Sequence, residues 1–180
     1  MPSIYKMNDP IYGTEPPQNI PQEVIGTNAK ARLLAGPMGS RVGAFKTKAN
    51  VQIVDFDLEP GAEMTHTIPQ GMSTVMLYIY EGTLLINHDQ IVGPQAIAML
   101  DGSNDSIRTF DLSVDLSSDS KSASAILFVG EPLKEPIAWR GPIVMNTKAE
   151  LQQTFNELRS GSFPPVRVPW DYHCINQKPV

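Results

Sequence analysis

The segment Thr74–Glu81 (Thr-Val-Met-Leu-Tyr-Ile-Tyr-Glu) constrains the fold more than any other stretch of the chain. Its β-branched and aromatic residues read as a strand, and alternate side chains of a strand point to opposite faces. Val75, Leu77 and Ile79 then share one face while Met76, Tyr78 and Tyr80 share the other, so both are apolar or amphipathic. A strand of this kind needs cover on each side. A closed or sandwiched β-barrel covers the first face, and a terminal arm, a helix or a second subunit must cover the second.

The surrounding sequence supplies more strands of the same kind. Short β-branched and aromatic runs punctuated by Gly, Pro, Asn and Asp predict strands near residues 31–34, 41–47, 51–58, 64–68, 83–87, 96–100, 106–114 and 123–129. Asn87-His88-Asp89-Gln90 reads as a hairpin tip and residues 117–122 as a polar loop. One helix is expected, over about 148–159. Thr147 and Glu150 have capping-box spacing, Leu151, Phe155 and Leu158 recur at near-helical intervals, and Gly161 can end it. Its apolar face should dock on strands. The expected fold class is all-β: a single β-barrel or jelly roll with one carboxy-terminal helix and extended termini.

Proline places the termini. Pro2, Pro10, Pro16, Pro17 and Pro21 crowd the start and Pro164, Pro165, Pro169 and Pro179 the end, removing donors and disfavouring helix. The expected organisation is an extended arm over 1–23, one folded domain over 24–163 and an extended tail over 164–180, which suits a length of 180 residues. With 14 Lys and Arg against 19 acidic residues and no basic run, direct nucleic-acid binding has no electrostatic footprint. A single Cys excludes an internal disulfide or a thiolate cluster. The first nine residues lack an apolar signal core, and the longest apolar run, Val75–Tyr80, is too short to span a bilayer. A cytoplasmic or nuclear protein is expected.

Two groups of residues carry a family resemblance. Gly130-Glu131-Pro132-Leu133-Lys134-Glu135-Pro136 followed by Gly141-Pro142-Ile143-Val144-Met145-Asn146-Thr147 resembles the carboxy-terminal half of the pirin family, of the cupin superfamily. Leu34-Ala35-Gly36, Val54-Asp55-Phe56, Leu58-Glu59-Pro60-Gly61-Ala62 and Ile68-Pro69-Gln70-Gly71 fall in the order that family shows. The resemblance covers about residues 10–163 and implies a cupin barrel over 24–163. It also implies that pirins carry two barrels in tandem, with the metal ligands in the amino-terminal one, whose counterpart no position here matches.

A cupin metal centre needs imidazoles and a carboxylate converging from adjacent strands. Counting cupin motif spacings from Gly61, Gly82 and Gly102 places the expected ligands at Thr67, Pro69, Val75 and Asp105, none of them His or Glu. By the same count His66 turns to the opposite side of its strand, as a surface or interface histidine rather than a ligand with Glu63. His88 reads as a solvated turn residue, and His173 and Cys174, adjacent in the tail, project oppositely. Asp55 and Asp57 lie roughly 7 Å apart on one strand face; they read as a solvated outer face rather than a general acid and base. Gly36-Pro37-Met38-Gly39-Ser40 reads as a turn, without the Lys of a phosphate loop.

No catalytic, cofactor-binding or metal residue is therefore assigned, and no cofactor is expected. The leading expectation is a metal-free, pirin-like binding or regulatory protein with a protein partner or a homodimer, since an unpaired barrel exposes a contiguous apolar patch. The alternatives are a metal-dependent, quercetinase-like dioxygenase and a barrel holding a small apolar ligand.

Overall fold

The computed structural model describes residues 1–8, 13–102, 108–115 and 121–163. In chain order its strands are β1 (Gln22–Ala35), β2 (Pro37–Met38), β3 (Arg41–Val42), β4 (Val51–Thr67), β5 (Thr74–Glu81), β6 (Leu84–Ile86), β7 (Gln90–Val92), β8 (Ala96–Asp101), β9 (Thr109–Ser113), β10 (Ala123–Gly130), β11 (Ala138–Arg140) and β12 (Ile143–Met145), and they are followed by helix α1 (Lys148–Ser160). By contacts the chain forms two compact units, Glu15–Pro132 and Met1–Thr14 with the segment that follows Pro132.

The larger unit is a nearly closed antiparallel barrel, the all-β architecture expected. Its sheet runs β7-β6-β9-β4-β10-β5-β8, and β1 pairs along β4. Two strands expected at 51–58 and 64–68 form one, β4, because Pro60 and Gly61 bend the chain without ending it. Gly61 takes φ 74, which a glycine adopts at no steric cost. Opposite the bend, register with β1 jumps from Thr27↔Glu63 to Ala29↔Leu58, and Asn28 at φ 51 donates from its side-chain amide to the Pro60 carbonyl at 3.3 Å. Before the bend β4 lies between β1 and β10; after it, β9 takes over from β10.

Alternation then fixes the core. Val54, Phe56, Leu58, Ala62 and Met64 of β4 point inward and are buried, as are Val75, Leu77 and Ile79 of β5 and Ala125, Leu127 and Val129 of β10. Met76 and Tyr78 on the outer face are half-buried and Tyr80 is exposed. β1 starts at Gln22, inside the segment expected as an extended arm, and that segment also holds 3-10 turns at Ser3–Tyr5 and Pro17–Asn19. Of the strand expected over 41–47 only Arg41–Val42 forms, and β7, β11 and β12 were not anticipated. The tail over 164–180, Asp105 and most of the loop over 117–122 lie outside the described residues.

The smaller unit pairs the β11–β12 hairpin with α1. The expected capping box is present: Thr147 Oγ1 accepts from the Glu150 backbone at 3.2 Å, and Glu150 Oε2 accepts from the Thr147 backbone at 2.8 Å. Gly161 caps the other end in the left-handed conformation. The helix packs on β11 and β12 and sets Phe155 under the Arg140 guanidinium, 4.9 Å from the ring centroid. Leu158, expected on the docking face, is exposed, and Thr154 is the buried residue, its hydroxyl bonded to the Glu150 carbonyl at 2.9 Å. Glu135 ties the start of the chain to this unit by accepting from the Ser3 backbone and the Asn146 amide.

Candidate functional site

Among the described residues the barrel interior holds one imidazole. His66 points inward and is buried, and Thr67 is exposed. This reverses the expectation of a surface histidine. The reason is the phase of β4: Ala62, Met64 and His66 continue the inward series of Val54, Phe56 and Leu58, while Glu63, Thr65 and Thr67 face solvent. The apolar pattern of the strand sets its register, and the motif count from Gly61 is displaced from it by one residue.

A polar chain holds His66 in place. Gln52, also buried, donates through its amide nitrogen to the Pro37 carbonyl, which turns its Oε1 toward His66 Nε2 at 2.8 Å. A carboxamide oxygen only accepts, so Nε2 carries the proton of the neutral ring. Phe56 and Phe110 flank the imidazole with centroids 5.6 and 5.4 Å away. Burial among these rings holds its pKa down to about 4, since nothing beside it compensates a charge. The Pro37 end of the chain is positioned by Gly36, at φ 77, where a Cβ would lie 2.1 Å from the Val51 carbonyl oxygen. Arg108 holds the neighbouring turn by donating to the carbonyls of Ile68, Pro69 and Met72.

This arrangement does not fit a resident cupin metal. The interior offers a single imidazole already bonded through Nε2, and among the described residues no three His, Cys, Asp or Glu are grouped to hold a metal ion. Glu63 is on the opposite face from His66, and Val75, at the motif's glutamate position, lies fully buried in the core. His88 stands exposed at its hairpin tip, with Nε2 3.3 Å from Asp111 Oδ2. His173 and Cys174 lie outside the described residues.

The outer face carries a second polar cluster that the sequence reading placed but described wrongly. Asp55 faces outward as expected, yet it is buried rather than solvated. Arg32 of β1 forms an ion pair with it, and Tyr80 of β5 donates to it at 3.0 Å. Burial first, and then Asp55, raise the Tyr80 hydroxyl pKa against a lowering hydrogen bond to Ser124. Asp57 remains exposed and accepts from Ser124 at 2.9 Å. With separate partners, the two carboxylates are not poised as an acid and a base. An open groove of about 810 Å³ is lined by Glu63, Thr83, Leu85, His88, Val114 and Lys121.

A nearly closed antiparallel barrel of this topology is a cupin barrel, and the solved structures agree. A crystal structure of quercetin 2,3-dioxygenase from Acinetobacter baumannii superposes with a TM-score of 0.80 at 27% identity, covering 91% of this chain and 54% of that one. Residues 53–164 match the pirin C-terminal cupin domain, and the chain belongs to the pirin family. A Thermoplasma acidophilum protein provisionally named a quercetin 2,3-dioxygenase is 32% identical over 94% of this chain and 64% of its own length. Human Pirin is 30% identical over 88% of this chain and 52% of its own. The chain thus spans roughly half to two thirds of the curated relatives it matches.

Proposed function

We propose that this pirin-type cupin works by binding, as a non-catalytic regulatory or adaptor module whose partner is a protein. The observation that carries the reading is the barrel interior, where core side chains surround one imidazole whose Nε2 is committed to Gln52. Catalysis by a cupin metal needs open coordination positions among several ligands, and this donor set supplies neither. The outer sheet face supports a protein partner: Phe128, Ile97 and Met99 are exposed beside half-buried Met76 and Tyr78, a composition favoured where proteins meet. Among the described residues no helix is long and apolar enough to cross a membrane.

The quercetin 2,3-dioxygenase names of two similar proteins favour a second reading, metal-dependent flavonol oxygenation. A small apolar ligand inside the barrel has less support, because Val75, Leu77 and Ile79 are fully buried in the common core. Metal analysis after loading with Fe(II), Ni(II) or Mn(II), together with dioxygen uptake on quercetin, separates the first two. The binding reading expects metal far below one equivalent and no uptake above the protein-free rate. Near-stoichiometric metal and quercetin turnover, both lost in His66→Ala, would overturn it.

A further inference from the structure

The apolar outer face ends at an open strand edge. Among the described residues β8 pairs with β5 and with no other strand, so over Ala96–Leu100 its far edge has no strand beside it. Such an edge is a template for another strand unless Lys, Pro or a bulge blunts it. β8 reads Ala-Ile-Ala-Met-Leu-Asp and carries none of these over its first five residues. Ile97 and Met99 stand outward at 61% and 64% exposure. On the inward side Ala96, Ala98 and Leu100 are half-buried, although Val75, Leu77 and Ile79 on the adjoining strand are fully buried, as expected where a sheet stops one strand short of cover.

We infer that β8 pairs antiparallel with β8 of a second copy about a two-fold axis, joining the two sheets edge to edge. The inference deepens the reading of this face as a docking surface and names its occupant. Residues opposite each other in a ladder point to the same face, so outward-facing Ile97 and Met99 meet outward-facing residues across the joint. Centring the axis on Ala98 places Ile97 opposite Met99 of the partner subunit twice on the outer face. On the inner face it sets Ala98 against its own copy and Ala96 against Leu100 of the partner subunit, and it brings Gln95 opposite Asp101 of the partner subunit. Moving the axis to Ile97 draws Pro94, which has no N–H, into the ladder. Moving it to Met99 sets Ile97 against the carboxylate of Asp101. Of these registers, the one centred on Ala98 sets apolar against apolar residues throughout Ala96–Leu100, and a second copy supplies that match from its own sequence. The joined sheet continues inward through Tyr78, opposite Ile97, and Met76, opposite Met99, on β5.

Sedimentation velocity from about 1 to 200 µM tests the association, and cysteine cross-linking tests the register. The wild type is expected to dimerise within that range. Ile97→Lys/Met99→Lys, at exposed positions, should raise the dissociation constant at least roughly tenfold by removing two apolar cross-strand pairs, with an unchanged far-UV circular dichroism spectrum. In a Cys174→Ser background, Ala98→Cys should form an intersubunit disulfide under mild oxidant several-fold faster than Ile97→Cys, which is not opposite itself. A wild type monomeric at every concentration would overturn the dimer and leave the docking of a different protein on this face standing. A dimer indifferent to the Lys pair, or cross-linking equal at the two positions, would overturn the β8 edge alone and leave the docking face standing.

Discussion

Acidification should destabilise this barrel through His66. The buried ring has a pKa of about 4, and in the unfolded chain it returns to the ordinary 6.5. Between those values the unfolded state binds the additional proton, so stability falls as pH falls. The contribution is intact above pH 6.5. From the two pKa values the loss is about 1 kcal/mol by pH 5.5 and about 2–3 kcal/mol by pH 4.5, levelling off at roughly 3 kcal/mol below pH 4. The cause is desolvation beside Phe56 and Phe110 rather than a lost hydrogen bond, since in the folded protein Nε2 carries a proton for Gln52 whether the ring is neutral or charged. Urea unfolding at pH 7.5, 6.5, 5.5 and 4.5 measures it, comparing the wild type with His66→Gln, which keeps an amide within reach of Gln52. Glu135 and Glu150, whose pKa values their hydrogen bonds lower, stabilise above the usual carboxylate range and lose that contribution in acid; both proteins share them, so they cancel in the difference. The wild-type advantage over His66→Gln should shrink by about 2–3 kcal/mol between pH 7.5 and 4.5. Parallel stability curves would refute the reasoning.

Two further outcomes follow from packing and capping. Leu77→Ala removes a fully buried side chain from the centre of β5 and should cost about 2–5 kcal/mol in urea unfolding, with a larger loss the less the cavity collapses. Thr147→Ala deletes one half of the α1 capping box and should cost about 1 kcal/mol. Faster hydrogen exchange confined to the first turn of α1, with the barrel amides unaffected, would register it.

The barrel was legible because its strands repeat a period-two pattern strongly enough to place Val54, Phe56, Leu58, Val75, Leu77 and Ile79 inside without a structure. The helix was legible from Thr147 and Glu150 because a cap is a local device. What failed was longer in range. Pro60 and Gly61 read as a strand end, since no local signal says that β1 and β9 will carry pairing past the bend. For His66 the motif spacing from Gly61 and the apolar run of Ala62, Met64 and Ile68 point to opposite faces, and the even phase of that run gives the observed one. Asp55 was expected to be solvated because Arg32 and Tyr80, which bury it, arrive from strands 23 and 25 residues away. That β8 ends the sheet order could not be anticipated from sequence, because whether a strand is central or terminal depends on the whole pairing order.

The bent strand β4 also has a mechanical meaning. A single run of 17 residues pairs with β1 and β10 below the bend and with β1 and β9 above it, so neither wall of the barrel can peel away without breaking a ladder that the other wall needs. The barrel amides should then open in one cooperative step rather than wall by wall. Much of the folding barrier should lie in bringing distant segments onto that one shared spine.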